Sequence, residues 1–309
     1  MEGDMKIFVC EPLDPAALAL LRQRAEVTDD PAKLVTVDAV ITRNFAVDRA
    51  FFEKCPCLRA VGVHGRGLDG VDLTQARRRG VRVVYAPHEN VESVAEHIAA
   101  LLLALARRVP RADRMARAGA ARPGDASLCG VELRGRTLGL VGAGEIGCRA
   151  GEILRDGFGM RLRVWSPSMT DSRARALGME RSGSLRELFG ECDAVTVGVP
   201  LNDGTRNLIG PDILAAAKPG LLLVNTSRGG VVDEAALLRA LTEGPLGGAA
   251  CDVFRREPPG PENPLLGLEN FIATPHIAAT TREALRRTGL CVARQVLAVL
   301  DGKPAEYEV

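Results

Sequence analysis

The stretch LGLVGAGEIG at residues 138–147 sets Gly142, Gly144 and Gly147 at the spacing G-x-G-x-x-G, behind a strand-like apolar run and at the head of a helical pattern. This feature limits the fold more than any other. A tight turn, a close backbone approach to a pyrophosphate and close helix–strand packing each need a residue without a side chain; together they imply a βαβ unit that binds a dinucleotide. Glu145 and Ile146 lie inside the turn and join the glycines as expected cofactor contacts. Glycines that only close a strand–helix turn are the plain alternative. The strand and helix patterns that continue downstream weigh against it.

The motif begins near the middle of the 309 residues, so a unit of domain size precedes it. Strand-like runs KIFV at 6, DAVIT at 38, RAVGV at 59 and VRVV at 81 form a first set. RLRVW at 161, DAVTVGV at 193, LLLVN at 221, GGAACDV at 247 and FIAT at 271 follow the glycine strand. Strands alternating with helices imply parallel sheets with helices on their faces. Residues 92–119 read as a long helical segment that Pro110 kinks or splits, and 282–301 as a helix ending at Gly302. A nucleotide-binding unit with six strands does not need that last helix, which is expected to cross back to the first unit. The fold class read from this pattern is α/β, with two Rossmann-like, doubly wound parallel-sheet domains and a cleft between them. Residues 1–93 plus 282–309 form the substrate domain, flavodoxin-like, and 94–281 the dinucleotide-binding domain.

With 40 basic and 39 acidic residues the formal charge is +1, which gives no electrostatic reason to expect a nucleic-acid or membrane partner. Arg77, Arg78 and Arg79, just before Gly80, read as a solvated helix C-terminus. The longest apolar stretch, IAALLLALA at 98–106, falls far short of the ~20 residues of a membrane span. MEGDMKIFVC lacks the apolar core of a secretory signal, so a cytoplasmic location is expected. The eight cysteines show no C-x-x-C pair and no repeated ligand spacing, so no metal is expected. Cys148 reads as a packing residue; the alternative is a thiol activated at a helix N-terminus.

Three later stretches fall at strand ends, where open parallel sheets place their ligands: LLLVNTSRGGVVDEAAL, GGAACDVFRREPP and FIATPHIAATT. They supply a cation (Arg228), an acid (Glu257) and an imidazole (His276). Singly, each has a bland reading as a loop, surface or capping residue.

The chain resembles the D-isomer specific 2-hydroxyacid dehydrogenases, the family of phosphoglycerate dehydrogenase, glyoxylate and hydroxypyruvate reductases and D-lactate dehydrogenase. VGVHGRGLDGVDL, SVAEH, LRGRTLGLVGAGEIG, AAAKPGLLLVNTSRGGVVDEAAL, CDVFRREPP and TPHIAATT match in family order over essentially the whole chain. The resemblance implies that Arg228, Glu257 and His276 are the catalytic triad and that Asp252 meets the nicotinamide carboxamide. It adds Pro200, Thr205 and Thr226 as cofactor contacts. In the first domain it implies that the loop His64, Gly65, Arg66, Gly67 presents backbone N–H groups to the substrate carboxylate, and that Arg43 matches an arginine some phosphoglycerate dehydrogenases use on substrate. Arg43 as a surface residue after a strand remains equally open. Glu257 also differs from the glutamine of the family's formate dehydrogenases.

The expected reaction interconverts a 2-oxo acid and a D-2-hydroxy acid. His276 would exchange the proton, Glu257 would orient the ring, and Arg228 would clamp the carboxylate and polarise the carbonyl. One carboxylate does not need Arg43, Arg66 and Arg228 together. Either the substrate carries a second anionic group or the first-domain arginines point into water. Two positions depart from the family. Ser166 replaces the aspartate that pairs with the ribose of NAD and repels the phosphate of NADP, yet Pro167 and Ser168 offer no adjacent arginine, so NAD and NADP both stay open. Gly198 stands where many relatives have histidine.

The sequence ends at 309 without the regulatory extension of some phosphoglycerate dehydrogenases, so feedback control by serine is not expected. A nucleotide-sensing co-repressor is the alternative function. It is disfavoured because the chain has no Pro/Ser-rich or low-complexity extensions. A homodimer is expected from the resemblance and from VAEHIAALLLALARRV, which carries more apolar surface than one helix can leave in water; full burial within its own domain is the alternative.

Overall fold

The computed structural model describes residues 5–309. The described chain divides into two units, one running up to Asn90 and resuming at Ala279–Val309, the other Val91–Ala278. In the first unit β1 (Met5–Val9), β2 (Ala25–Thr28), β3 (Ala39–Thr42), β4 (Ala60–Val63) and β5 (Arg82–Tyr85) form a parallel sheet in the order β2-β1-β3-β4-β5. β3 and β4 are buried along their whole length, as a parallel sheet covered on both faces requires, which is why they read as continuous apolar runs. Helices α1 (Pro15–Arg22), α2 (Arg49–Lys54) and α3 (Leu73–Arg78) connect the strands.

The second unit opens with α4 (Val91–Ala106) and α5 (Val109–Arg117). The break between them falls at Arg108, in the left-handed conformation, and Pro110 sits in the first turn of α5, where its missing N–H costs nothing. Then come β6 (Thr137–Val141), α6 (Glu145–Phe158), β7 (Arg161–Trp165), α7 (Asp171–Ala176), β8 (Glu180–Arg181) and α8 (Leu185–Glu191). After them follow β9 (Ala194–Val197), α9 (Pro211–Ala215), β10 (Leu221–Asn225), α10 (Glu234–Thr242), β11 (Leu246–Cys251) and β12 (Phe271–Ala273). Their sheet is parallel, in the order β12-β11-β10-β9-β6-β7-β8. It has seven strands where the sequence suggests six: β8 is a two-residue edge of exposed Glu and Arg, which no apolar pattern marks.

The last helix, α11 (Arg282–Leu300), belongs to the first unit, where Val292, Ala293 and Val296 are buried against Ile7, Ile41 and Val84. Gly62 of β4 admits it: a Cβ there would stand 2.6 Å from Val296. Arg79, expected to be merely solvated, donates to the Phe52 carbonyl and lies over the Phe52 ring.

The apolar surface of α4 is consumed within its own unit. Val94, Ile98, Leu101, Leu102 and Leu105 are all buried. The argument for a dimer from an uncovered apolar helix therefore fails, because the sheet and α6 already cover that face. Among the described residues no helix is long and apolar enough to cross a membrane, and no cluster of His, Cys, Asp and Glu is arranged to hold a metal.

Candidate active site

Most helices here begin on a side-chain cap: Asp14, Asp48, Asp72, Thr170, Ser184, Asp233 and Thr281 each accept a hydrogen bond from an N–H of the first turn. The helix α6 does not. Its cap is Gly144, with no side chain to satisfy the first N–H groups, and these face the crevice where strand order reverses between β6 and β9. Gly142 is in a positive-φ conformation (94°), and a Cβ there would stand 2.7 Å from the Gly198 carbonyl. At Gly144 a Cβ would meet nothing within 4 Å. One glycine is needed by the protein's own packing and the other leaves open space over a helix N-terminus, which is the arrangement a pyrophosphate requires. These residues fit a dinucleotide.

Around this cradle, Ser166 follows β7 and its carbonyl accepts the Met169 N–H at 3.0 Å. Thr205 donates its hydroxyl to the Pro200 carbonyl at 2.6 Å and accepts the Asn202 N–H at 2.8 Å, so it shapes the 200–205 loop. Thr226 lies half-buried just past β10. Cys148, in the first turn of α6, has its thiol pushed up by burial, with the Glu152 carboxylate adding to the effect and Arg173 opposing it. It is not an activated thiol.

The triad assembles at the C-terminal ends of β10, β11 and β12. Asn225 closes β10: its Oδ1 accepts the N–H and hydroxyl of Ser227, and its Nδ2 donates to the Arg228 carbonyl at 3.1 Å. The next residue, Gly229, lies so close to the following loop that a Cβ would fall 1.9 Å from the Phe254 carbonyl carbon. This contact presses the Arg228 turn onto the loop that carries Glu257. Glu257 accepts the Phe254 N–H on Oε1 at 3.0 Å and meets His276 Nδ1 with Oε2 at 2.6 Å. Burial favours its neutral form, but the His276 ring, the Phe254 N–H and the Arg228 cation outweigh burial and hold its carboxyl below the usual range.

His276 is one of the few non-glycine residues at positive φ (55°), and its turn is held from below by Asp252. The Asp252 carbonyl accepts the His276 N–H at 2.8 Å. Its Oδ1 accepts the Thr274 hydroxyl at 2.6 Å and the Ile277 N–H at 2.9 Å, and Oδ2 accepts the Ala278 N–H at 2.9 Å. Although burial raises its pKa, hydrogen bonds from His97, Thr274, Ile277 and Ala278 outweigh that and leave it below the usual range. Asp252 has no accessible surface. Its visible role is to hold the turn that presents His276, and a nicotinamide contact would need a neighbour to move aside. His97, Thr274 and Asn225 are the residues that sequence reasoning missed; His97 stands in the quoted SVAEH, but nothing in the sequence pairs it with Asp252.

Arg43, His64, Gly65, Arg66 and Gly67 belong to the first unit. Glu11 accepts the N–H groups of Arg43, Asn44 and Phe45 at 2.9, 2.5 and 2.7 Å, which shapes the turn after β3. The Arg43 guanidinium donates to Thr280 at 2.7 Å. His64 ends β4 buried, with Nε2 3.3 Å from the Leu285 carbonyl; burial, then the Arg43 cation, pushes its pKa down. Gly65 takes a φ of 153°, which a side chain would resist, and the Ala86 N–H donates to its carbonyl. Arg66 is exposed, and Gly67 half-buried.

A family model described as the D-isomer specific 2-hydroxyacid dehydrogenase NAD-binding domain matches residues 99–278. The D-3-phosphoglycerate dehydrogenase of Archaeoglobus fulgidus is 35% identical over 99% of this chain, which spans 59% of that relative's length. The glyoxylate reductase of Aeropyrum pernix is 38% identical, with 96% of this chain and 93% of that protein covered. Among solved structures, the NADPH-dependent glyoxylate/hydroxypyruvate reductase of Sinorhizobium meliloti, in complex with NADP and malonate, superposes with a TM-score of 0.87 at 30% identity, covering 99% of this chain and 97% of that one. With this match over the glycine cradle and the triad-bearing strand ends, the chain belongs to the D-isomer specific 2-hydroxyacid dehydrogenase family.

Proposed function

We propose that this protein interconverts a 2-oxo acid and a D-2-hydroxy acid with NAD or NADP as cofactor. The observation that carries the reading is the bond between His276 Nδ1 and Glu257 Oε2, in the same unit as the glycine cradle. When bound, the nicotinamide supplies or takes up hydride. Gly142, Gly144, Glu145, Ile146 and Gly147 hold the pyrophosphate at the α6 N-terminus, and Ser166, Pro200, Thr205 and Thr226 line the same cofactor. Glu257 fixes the His276 ring through Nδ1, so Nε2 is the nitrogen that gives a proton to the carbonyl oxygen as negative charge develops there. In the other direction the same nitrogen takes the hydroxyl proton. Arg228 binds the substrate carboxylate with its planar fork and, beside Glu257, also favours that group's ionised form.

On the substrate side, relatives named for 3-phosphoglycerate and for glyoxylate leave a choice between a doubly and a singly anionic substrate. Arg43 and Arg66 are proposed to favour a second anionic group, and His64, Gly65 and Gly67 to shape the loop around a carboxylate. A homodimer is part of the same proposal and is read by sedimentation equilibrium at micromolar protein; a concentration-independent monomer rejects it.

The test is NAD(P)H oxidation followed by absorbance with glyoxylate, hydroxypyruvate and 3-phosphohydroxypyruvate, in the parent, Arg43→Ala and Arg66→Ala proteins. Turnover in the parent is expected. If no 2-oxo acid turns over while cofactor still binds, the enzyme reading gives way to that of a nucleotide-sensing protein. If 3-phosphohydroxypyruvate gains nothing over glyoxylate in kcat/KM, or neither substitution removes that gain, the second-anion reading is wrong.

A further inference from the structure

His97 is a half-buried histidine of the second unit to which the proposed reaction gives no task. It projects from α4, and its Nε2 lies 3.2 Å from Thr274 Oγ1 and 3.6 Å from Asp252 Oδ1. The Thr274 hydroxyl has a single hydrogen, and its 2.6 Å bond to Asp252 Oδ1 commits that hydrogen to the carboxylate. Thr274 can therefore only accept from His97, which makes Nε2 the protonated ring nitrogen. The result is a directed chain from His97 Nε2–H to Thr274 Oγ1 and on to Asp252 Oδ1.

The far end of that chain is the turn that carries the proton-transfer residue. Asp252 receives the N–H groups of Ile277 and Ala278 on its carboxylate and that of His276 on its carbonyl. His276 is thereby held at a positive φ, a conformation that costs a non-glycine residue free energy and that these three hydrogen bonds offset. A carboxylate with no accessible surface stays ionised only while its donors are in place. Losing one loosens the grip on the remaining N–H groups, and a displacement of about 1 Å at a reacting group can cost ~10²-fold in rate.

We infer that His97 is a positioning residue for His276, acting through Thr274 and Asp252 by donating one hydrogen bond from Nε2. This rests on the reading of His276 as the proton-transfer group. It does not require His97 to touch substrate or cofactor. The ring's specific contribution is a donor at the reach of Nε2, which the side-chain amide of glutamine can reproduce and leucine cannot.

The experiment compares the parent with His97→Leu, His97→Gln, Thr274→Val and the Leu/Val double variant in the full chain. His97→Leu is expected to lower kcat roughly 10- to 100-fold with KM for the 2-oxo acid and cofactor affinity little changed. His97→Gln should restore most of the loss. Thr274→Val should cost about as much as His97→Leu, and the double variant little more than either, because both break one chain. Amide exchange at Ile277 and Ala278 provides a reading independent of turnover: faster in His97→Leu and near the parent rate in His97→Gln. If the parent turns over no 2-oxo acid, the functional proposal fails, while the exchange data still decide whether His97 holds this turn. Parent-like kcat and exchange in His97→Leu, equal damage in His97→Gln and His97→Leu, or additive losses in the double variant would each overturn the inference.

Discussion

His276 Nδ1 stands 2.6 Å from Glu257 Oε2, and the other oxygen of that carboxylate is tied to the Phe254 N–H at 3.0 Å. Both ends of the orienting acid are thus fixed, one by the loop and one by the ring. His276→Ala is expected to lower kcat by roughly 10²- to 10⁴-fold, the usual scale of general acid–base catalysis, with cofactor affinity retained. Glu257→Gln should act in the same direction, because an amide that donates to Nδ1 fixes the wrong tautomer. Steady-state NAD(P)H absorbance and cofactor titration measure both. Near-parent turnover of His276→Ala across the pH range removes it from the mechanism.

A test of the proposed cofactor contact at Ser166 is the choice between NADH and NADPH. A neutral side chain at the end of β7 neither pairs with a ribose as a carboxylate would nor repels a 2′-phosphate. The preference of the parent for NADH over NADPH is therefore expected to be weak. Ser166→Asp should move the ratio of kcat/KM values towards NADH by about tenfold or more, equivalent to ~1.4 kcal/mol. A parent that already excludes NADPH strongly contradicts this account.

Two glycines separate stability from binding. A methyl on Gly229 would fall 1.9 Å from the Phe254 backbone, whereas one on Gly144 meets no protein atom within 4 Å. Gly229→Ala should lower the unfolding free energy by at least the ~1–3 kcal/mol typical of overpacking. Gly144→Ala should leave thermal stability near that of the parent and weaken dinucleotide binding, since its methyl enters the space assigned to the pyrophosphate. Melting curves and cofactor titration of the two variants check this; unchanged affinity in Gly144→Ala would move the pyrophosphate elsewhere.

Acid stability should carry the mark of Asp252. Its folded pKa lies below its unfolded value, near 3.9 for an ordinary aspartate, so its contribution is complete above that value and is lost as pH falls through the lower folded one. The unfolding free energy of the parent should therefore exceed that of Asp252→Asn at neutral pH, with the gap narrowing as pH drops below about 4. Denaturant titrations of both proteins across that range give the comparison. A gap independent of pH would show that the Asp252 charge contributes nothing.

Much of the molecule is legible in the residues alone, because much of it depends on local requirements. A phosphate-binding turn needs glycine at fixed positions whatever surrounds it, so Gly142, Gly144 and Gly147 announce the cradle; strands buried on both faces must be continuously apolar, so β4, β6 and β10 stand out. Arg228, Glu257 and His276 are visible because each lies beyond a strand end within a matching motif. The edge strands β2 and β8 are not visible, since a short, polar strand is defined only by the neighbour it pairs with. Apolar periodicity likewise shows that α4 buries a face but not what covers it, and the tertiary structure assigned that face to its own unit. The same holds for His97 and Thr274, 177 residues apart, whose bond depends on how α4 lies on the sheet. Sequence determines which groups are available and which backbone positions are constrained. Only packing decides which distant groups come within hydrogen-bonding range.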